Sequence, residues 1–81
     1  MKRKPGADAF AIAVDLLTQS GMAKVVSQTQ AAISFRVSRG DNAKAEWCAL
    51  IEEATAKAGQ RITAAELRPD IFGKRSTAAA E

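Results

Sequence analysis

Residues 20–40, SGMAKVVSQTQAAISFRVSRG, hold two short apolar-periodic segments separated only by Ser27, Gln28 and Thr29. Each is shorter than the roughly 12–15 residues an isolated helix needs to persist in water. Both must therefore pack on something, and so short a link makes them a compact helix-turn-helix. Ser20 is placed to cap the first helix, which runs to about Val26 with Met22, Ala23 and Val26 on one face. Thr29 is placed to cap the second, where Ile33 and Val37, four apart, point inward. At about 100° per residue, that orientation sends Ala31, Ser34, Phe35 and Ser38 outward and leaves Gln30 and Arg36 on the flanks.

The rest of the chain supplies what this pair packs against. Residues 1–7 (MKRKPGA) read as a basic, mobile arm. Asp8 suits the N-cap of a helix in which Phe10, Ala13, Val14 and Leu17 follow i, i+3, i+4, i+7, and which ends near Gly21. SRGDN is a turn. A further helix over about 43–58 carries Cys48, Ile51, Ala54, Thr55 and Ala58 inward, with Trp47 partly outward, and Gly59 ends it. In ITAAEL, Thr63 and Glu66 have the spacing of a capping box, and Ile62 and Leu67 stand at the ends of a hydrophobic staple. That predicts a one-turn helix stopped by Pro69, after which Ile71 and Phe72 fold back as an apolar plug. Residues 73–81 read as a polar, disordered tail. The expected fold is all-α: four helices plus a short C-terminal helical turn, one domain over residues 8–72.

Several kinds of chemistry are disfavoured. With no His and one Cys, the chain can build neither a His/Cys zinc cluster nor an internal disulfide. A nucleophilic Cys48 would lack a base, so it reads as core, and the chain is not expected to be an enzyme or to need a cofactor or metal. Glu46, Glu52 and Glu53 read as solvated charge on one helix. The apolar run after the N-terminus is interrupted at Asp15, so neither a signal peptide nor a membrane span is expected, and a cytoplasmic, nucleoid-associated location follows.

The outward face of the second short helix is the informative surface. It is small and neutral, with Gln and Ser as hydrogen-bonding groups, and Lys24, Arg36, Arg39 and Lys44 surround it against Asp41 alone. Small residues allow close approach to a major groove, Gln can pair with a base edge, and the cations can meet phosphates. The same Gln30, Ser34 and Ser38 would also serve as a plain solvated face. Phe35 tips the balance, because an outward aromatic calls for a contact, either thymine methyl groups or a neighbouring subunit.

QSGMAKVVSQTQAAISFRVSRG, residues 19–40, resembles the helix-turn-helix of Cro-type phage repressors, with Gln19, Ala23, Ile33 and Val37 at the family's first, fifth, fifteenth and nineteenth positions. AEWCALIEEAT and ITAAELRPDIF resemble the YdaS-type prophage regulators, so the likeness covers roughly residues 10–72. The resemblance implies a lambda-repressor-like fold and a DNA-binding repressor that occludes a promoter. It also implies a double-stranded operator bound as a homodimer, without membrane or small-molecule ligand. Carried over by position, Gln19 and Ser20 match the phosphate-contacting helix start and Thr29 the cap of the recognition helix. Gln30, Ala31, Ser34, Phe35 and Ser38 match its groove-facing set. Arg36, Arg39 and Lys44 would position the DNA backbone. Three positions depart: Ser27 stands where the turn normally has Gly, Gln28 where an aliphatic residue is usual, and Arg36 where Trp is common. A non-Gly residue kept in a left-handed turn costs on the order of 1 kcal/mol. The competing reading is a protein-interaction module on the same scaffold, such as an antitoxin that binds a partner.

Overall fold

The computed structural model describes residues 4–73 and is all-helical, with no strand among the described residues. The elements are α1 (Ala7–Val26), α2 (Gln30–Ser38), a 3₁₀ turn (Ala45–Trp47), α3 (Cys48–Lys57), α4 (Ala64–Leu67) and a closing π turn (Pro69–Gly73). The first two expected helices appear as arms of α1, 7–17 and 19–26, broken at Thr18 (φ 69°, ψ 161°). The cap of the second arm is therefore Thr18 and not Ser20. Its Oγ1 accepts the Gly21 N–H at 3.1 Å, the same cap-to-third-residue spacing by which Thr29 Oγ1 accepts from Ala32 and Thr63 from Glu66. Thr18 occupies a backbone region that Gly alone enters freely, at a strain of about 1–3 kcal/mol. Surrounding packing must hold it there.

The two arms converge on one core. Phe10, Met22, Ile33, Ile51 and Leu67 are fully buried, joined by Ala13, Val14, Ala23, Val26, Ala43, Trp47, Cys48 and Ile62. Leu17 and Val37 pack against its edge. α1 is long and apolar enough to cross a bilayer by length and composition. Here the Thr18 break and the core contacts of both arms make it a scaffold for α2 and α3.

Four expectations need correction. The N-terminal arm is not free through residue 7: Lys4 N–H donates to the Gly40 carbonyl at 3.0 Å, the Asn42 amide donates to the Pro5 carbonyl at 2.7 Å, and helix starts at a buried Ala7. Lys2 and Arg3 and the tail from residue 74 lie outside the described residues. The helix expected over 43–58 begins as a 3₁₀ turn, and Trp47, four residues before buried Ile51, lies inward; it is 5% exposed and packs 6.3 Å from Phe10, centroid to centroid. Ala58 ends exposed at the helix terminus, while Cys48, Ile51 and Thr55 are buried as expected. Phe72 joins the core edge, but Ile71 stays exposed, so the apolar plug is one residue rather than two.

The capping box at Thr63 and Glu66 forms in full, with Ile62 and Leu67 both buried. Glu52 is no solvated charge: its Oε1 accepts the Ala64 N–H at 2.9 Å and its Oε2 the Arg61 Nε–H at 2.9 Å. The Arg61 hydrogen bond first, then the Ala64 N–H, hold its carboxyl below the usual range. Buried Thr55 completes the seam by accepting the Ile62 N–H at 2.9 Å and donating to the Ile51 carbonyl at 2.8 Å. Two side chains thus fasten the start of α4 to α3: Glu52 takes the helix's first backbone donor, at Ala64, and Thr55 the N–H of Ile62 just ahead of the cap.

Candidate nucleic-acid interface

The second arm of α1 and α2 meet at a turn that backbone hydrogen bonds close. Ser27 is left-handed (φ 59°, ψ 47°), Gln28 N–H reaches the Ala23 carbonyl at 2.8 Å and Ser27 N–H the Lys24 carbonyl at 3.4 Å. That pair is the Schellman closure. It needs no side chain from either residue, so Ser27 and Gln28 leave the turn intact while both remain exposed. Thr29 is extended, caps α2, and starts it three residues beyond Val26.

Ile33 is the fully buried anchor of α2, with Val37 half-buried beside it. The opposite side carries Ala31, Phe35, Ser38 and Arg39, all exposed, and Phe35 is 62% exposed. Gln30 is exposed at the helix start, whereas Ser34 is half-buried on the flank. The Ser38 hydroxyl donates to the Phe35 carbonyl at 3.0 Å. Gln19 and Ser20 are exposed in the first turn of the second arm, and Lys24 is exposed further along it.

The cations around this face are not alike. Arg36 Nε donates to the Asn42 carbonyl at 2.7 Å and its guanidinium lies 5.1 Å over the Trp47 ring. It is half-buried and ties α2 to the loop behind it. Lys44 lies 5.5 Å over the same ring and is exposed. Arg39 stacks 5.1 Å over Phe35, with its Nε 3.6 Å from Asp41 Oδ2. Lys4, expected with Lys2 and Arg3 to be an arm able to reach a phosphate or minor groove, pairs instead through its Nζ with Asp41 Oδ1 at 3.0 Å. The partners lie almost forty positions apart, and no local pattern could have joined them.

Asp41 is the hub of this basic cluster, with a side chain 7% exposed. The Lys4 hydrogen bond, then the nearby charges of Arg39, Lys4 and Arg36, outweigh burial and lower its carboxyl from the ordinary value. A folded-state value below the unfolded one adds stability that is present above about pH 4 and is lost as pH falls through the folded value. The stability gap between the parent and Asp41→Asn is expected to be constant from neutral pH to about pH 5 and to shrink below about pH 4. Urea midpoints at pH 7, 5 and 3 measure it; a gap unchanged by pH would remove the charge from the account.

Behind α2, Cys48 is sealed in the core, burial raises its thiol, and its Sγ–H reaches the Lys44 carbonyl at 3.5 Å. Arg68 grips Asp70 through Nε and Nη2 at 3.1 and 2.9 Å and donates from Nη1 to the Ala43 carbonyl at 3.1 Å. An open groove of ≈ 480 Å³ between the first arm and α2 is lined by Ile12, Asp15, Thr18, Gln19 and Val37 among others. Its one carboxylate has no second titratable group among those lining residues to work with.

A family model described as bacterial toxin YdaS matches residues 11–76, which takes in both arms of α1 from Ala11 onward and every later element. No curated protein and no solved structure matches the chain.

Proposed function

This chain belongs to the bacterial toxin YdaS family, and on that premise we propose that it is a sequence-specific regulator that binds double-stranded DNA, in the manner of a phage or prophage Cro-type repressor. The carrying observation is the orientation of α2. Ile33 holds it to the core, and Gln30, Ala31 and Phe35 face away from the fold beside the exposed Gln19 and Ser20. In this reading α2 enters the major groove. Gln30 pairs with a base edge, Ala31 and Phe35 make apolar contact, and Gln19, Ser20, Lys24 and Lys44 meet phosphates. Two copies bind two half-sites, and bound protein excludes polymerase from the promoter. No cofactor, metal or small ligand takes part.

The test is selection of bound sites from random duplex DNA. A pair of half-sites about one helical turn apart is expected for a two-fold dimer. On the enriched site, Gln30→Ala is expected to lose about 1–3 kcal/mol, read as a change in Kd at fixed salt. A Gln30→Ala protein that binds its best site as tightly as the parent would disprove the groove assignment.

The exposed Phe35 and the toxin description of the family support a second reading, a partner-binding module of the toxin–antitoxin kind. Salt separates the two. A DNA complex weakens steeply as salt rises, because counterions are released, while an apolar protein interface hardly responds.

A further inference from the structure

We infer that Phe35 and Arg39 act as one unit that reads a guanine next to a thymine, so that Arg39 is a specificity-determining residue rather than a phosphate contact. The inference rests on the DNA-binding reading above and names which bases the surface prefers.

Three observations carry it. The first is position. With Ile33 inward, about 100° per residue puts Phe35 near the outward line of α2 and Arg39, four residues on, beside it. Both are exposed, whereas the other cation of the helix, Arg36, is drawn back onto Trp47. The second is restraint. The Arg39 guanidinium carbon lies over the Phe35 ring, 5.1 Å from its centroid, and its Nε is 3.6 Å from Asp41 Oδ2. Asp41 is itself pinned by Lys4 at 3.0 Å. A cation that meets a phosphate gains little from being held on two sides. One that must present a planar fork to a base edge gains a great deal, since its rotamer freedom is already spent. The third is what remains open. Among the described residues, neither terminal nitrogen of Arg39 carries a hydrogen bond, so its Nη1–H and Nη2–H donors remain available on a side chain that is more than half exposed.

Guanine O6 and N7 are the acceptors that match such a fork in the major groove. The ring beneath is apolar and more than half exposed, and the apolar group a neighbouring base pair offers in that groove is the thymine C5-methyl. The aromatic face therefore does two things: it fixes the plane of the arginine and covers the methyl. Asp41 sets the direction of the fork from behind.

Two variants separate this from a phosphate contact. Arg39→Lys keeps the charge and loses the planar fork; Phe35→Leu keeps an apolar side chain and loses the stacking face. Both positions are exposed, so both chains are expected to melt with the parent. On site selection each variant is expected to lose preference at one guanine of the half-site by roughly five-fold or more, a larger loss than either shows on non-cognate duplex. Replacing that guanine with 7-deazaguanine, which lacks the N7 acceptor, is expected to weaken the parent more than Arg39→Lys, whose ammonium makes a point contact in place of the fork. If either variant weakens all sequences alike, or the guanine preference survives both, the unit is overturned while the DNA-binding reading stands. A parent protein that shows no salt-dependent binding to any duplex would overturn both.

Discussion

Gly6→Ala is expected to take away much of the chain's stability, about 3 kcal/mol or more. Gly6 precedes α1 with φ +84°, and a Cβ there would sit 1.9 Å from the Leu67 carbonyl oxygen and 2.5 Å from its carbon. Those are backbone atoms of α4, which cannot swing aside as a side-chain tip can. The positive φ alone penalises Ala by about 1–2 kcal/mol, and the overlap adds to it by forcing α1 and α4 apart. A domain of this size holds about 4–12 kcal/mol in total, so the variant should be marginal at room temperature. Urea unfolding followed by helical circular dichroism measures it. A variant within about 1 kcal/mol of the parent would mean that the entry of the chain against α4 is not as described.

Ile33→Ala should be nearly as damaging, about 2–5 kcal/mol, with the melting midpoint falling by about 8 °C or more. The reason is specific to α2. It has nine residues, and Ile33 is its single fully buried side chain. Removing that side chain leaves a cavity in the core and takes away the main hold on the helix. Hydrogen exchange adds a signature: the amides of α2 should lose protection before those of the first arm of α1, which is anchored by Phe10, Ala13 and Val14. A melt close to the parent's, with α2 still protected, would show that Val37 and the Arg36 contacts suffice to hold the helix.

What could be read from the sequence was what is decided locally. Thr29 and Thr63 were legible as caps because a cap and its partner lie three residues apart. Ile33 and Val37 were legible because one helical face repeats at i+4. Where two local signals competed, reading failed. Thr18 and Ser20 both offered a hydroxyl, and nothing in the neighbouring residues favours a β-branched side chain at φ 69°. Trp47 stands four residues before Ile51, so the i+4 repeat itself places it inward, against the expectation of a partly outward ring. The candidate site divides the same way. The outward set of α2 follows from periodicity, but the partners that distinguish Arg36 from Arg39 do not. Trp47, Asn42 and Asp41 reach them through the fold, and Lys4 joins from the far end of the described chain.

The mooring of Lys4 on Gly40 and Asp41 also decides how the molecule should be handled. Anything fused ahead of that residue departs next to the end of α2, the side that would face a duplex. A purification handle or fluorescent reporter placed there would crowd the very surface an experimenter wishes to assay, and a bulky one could mimic a loss of affinity.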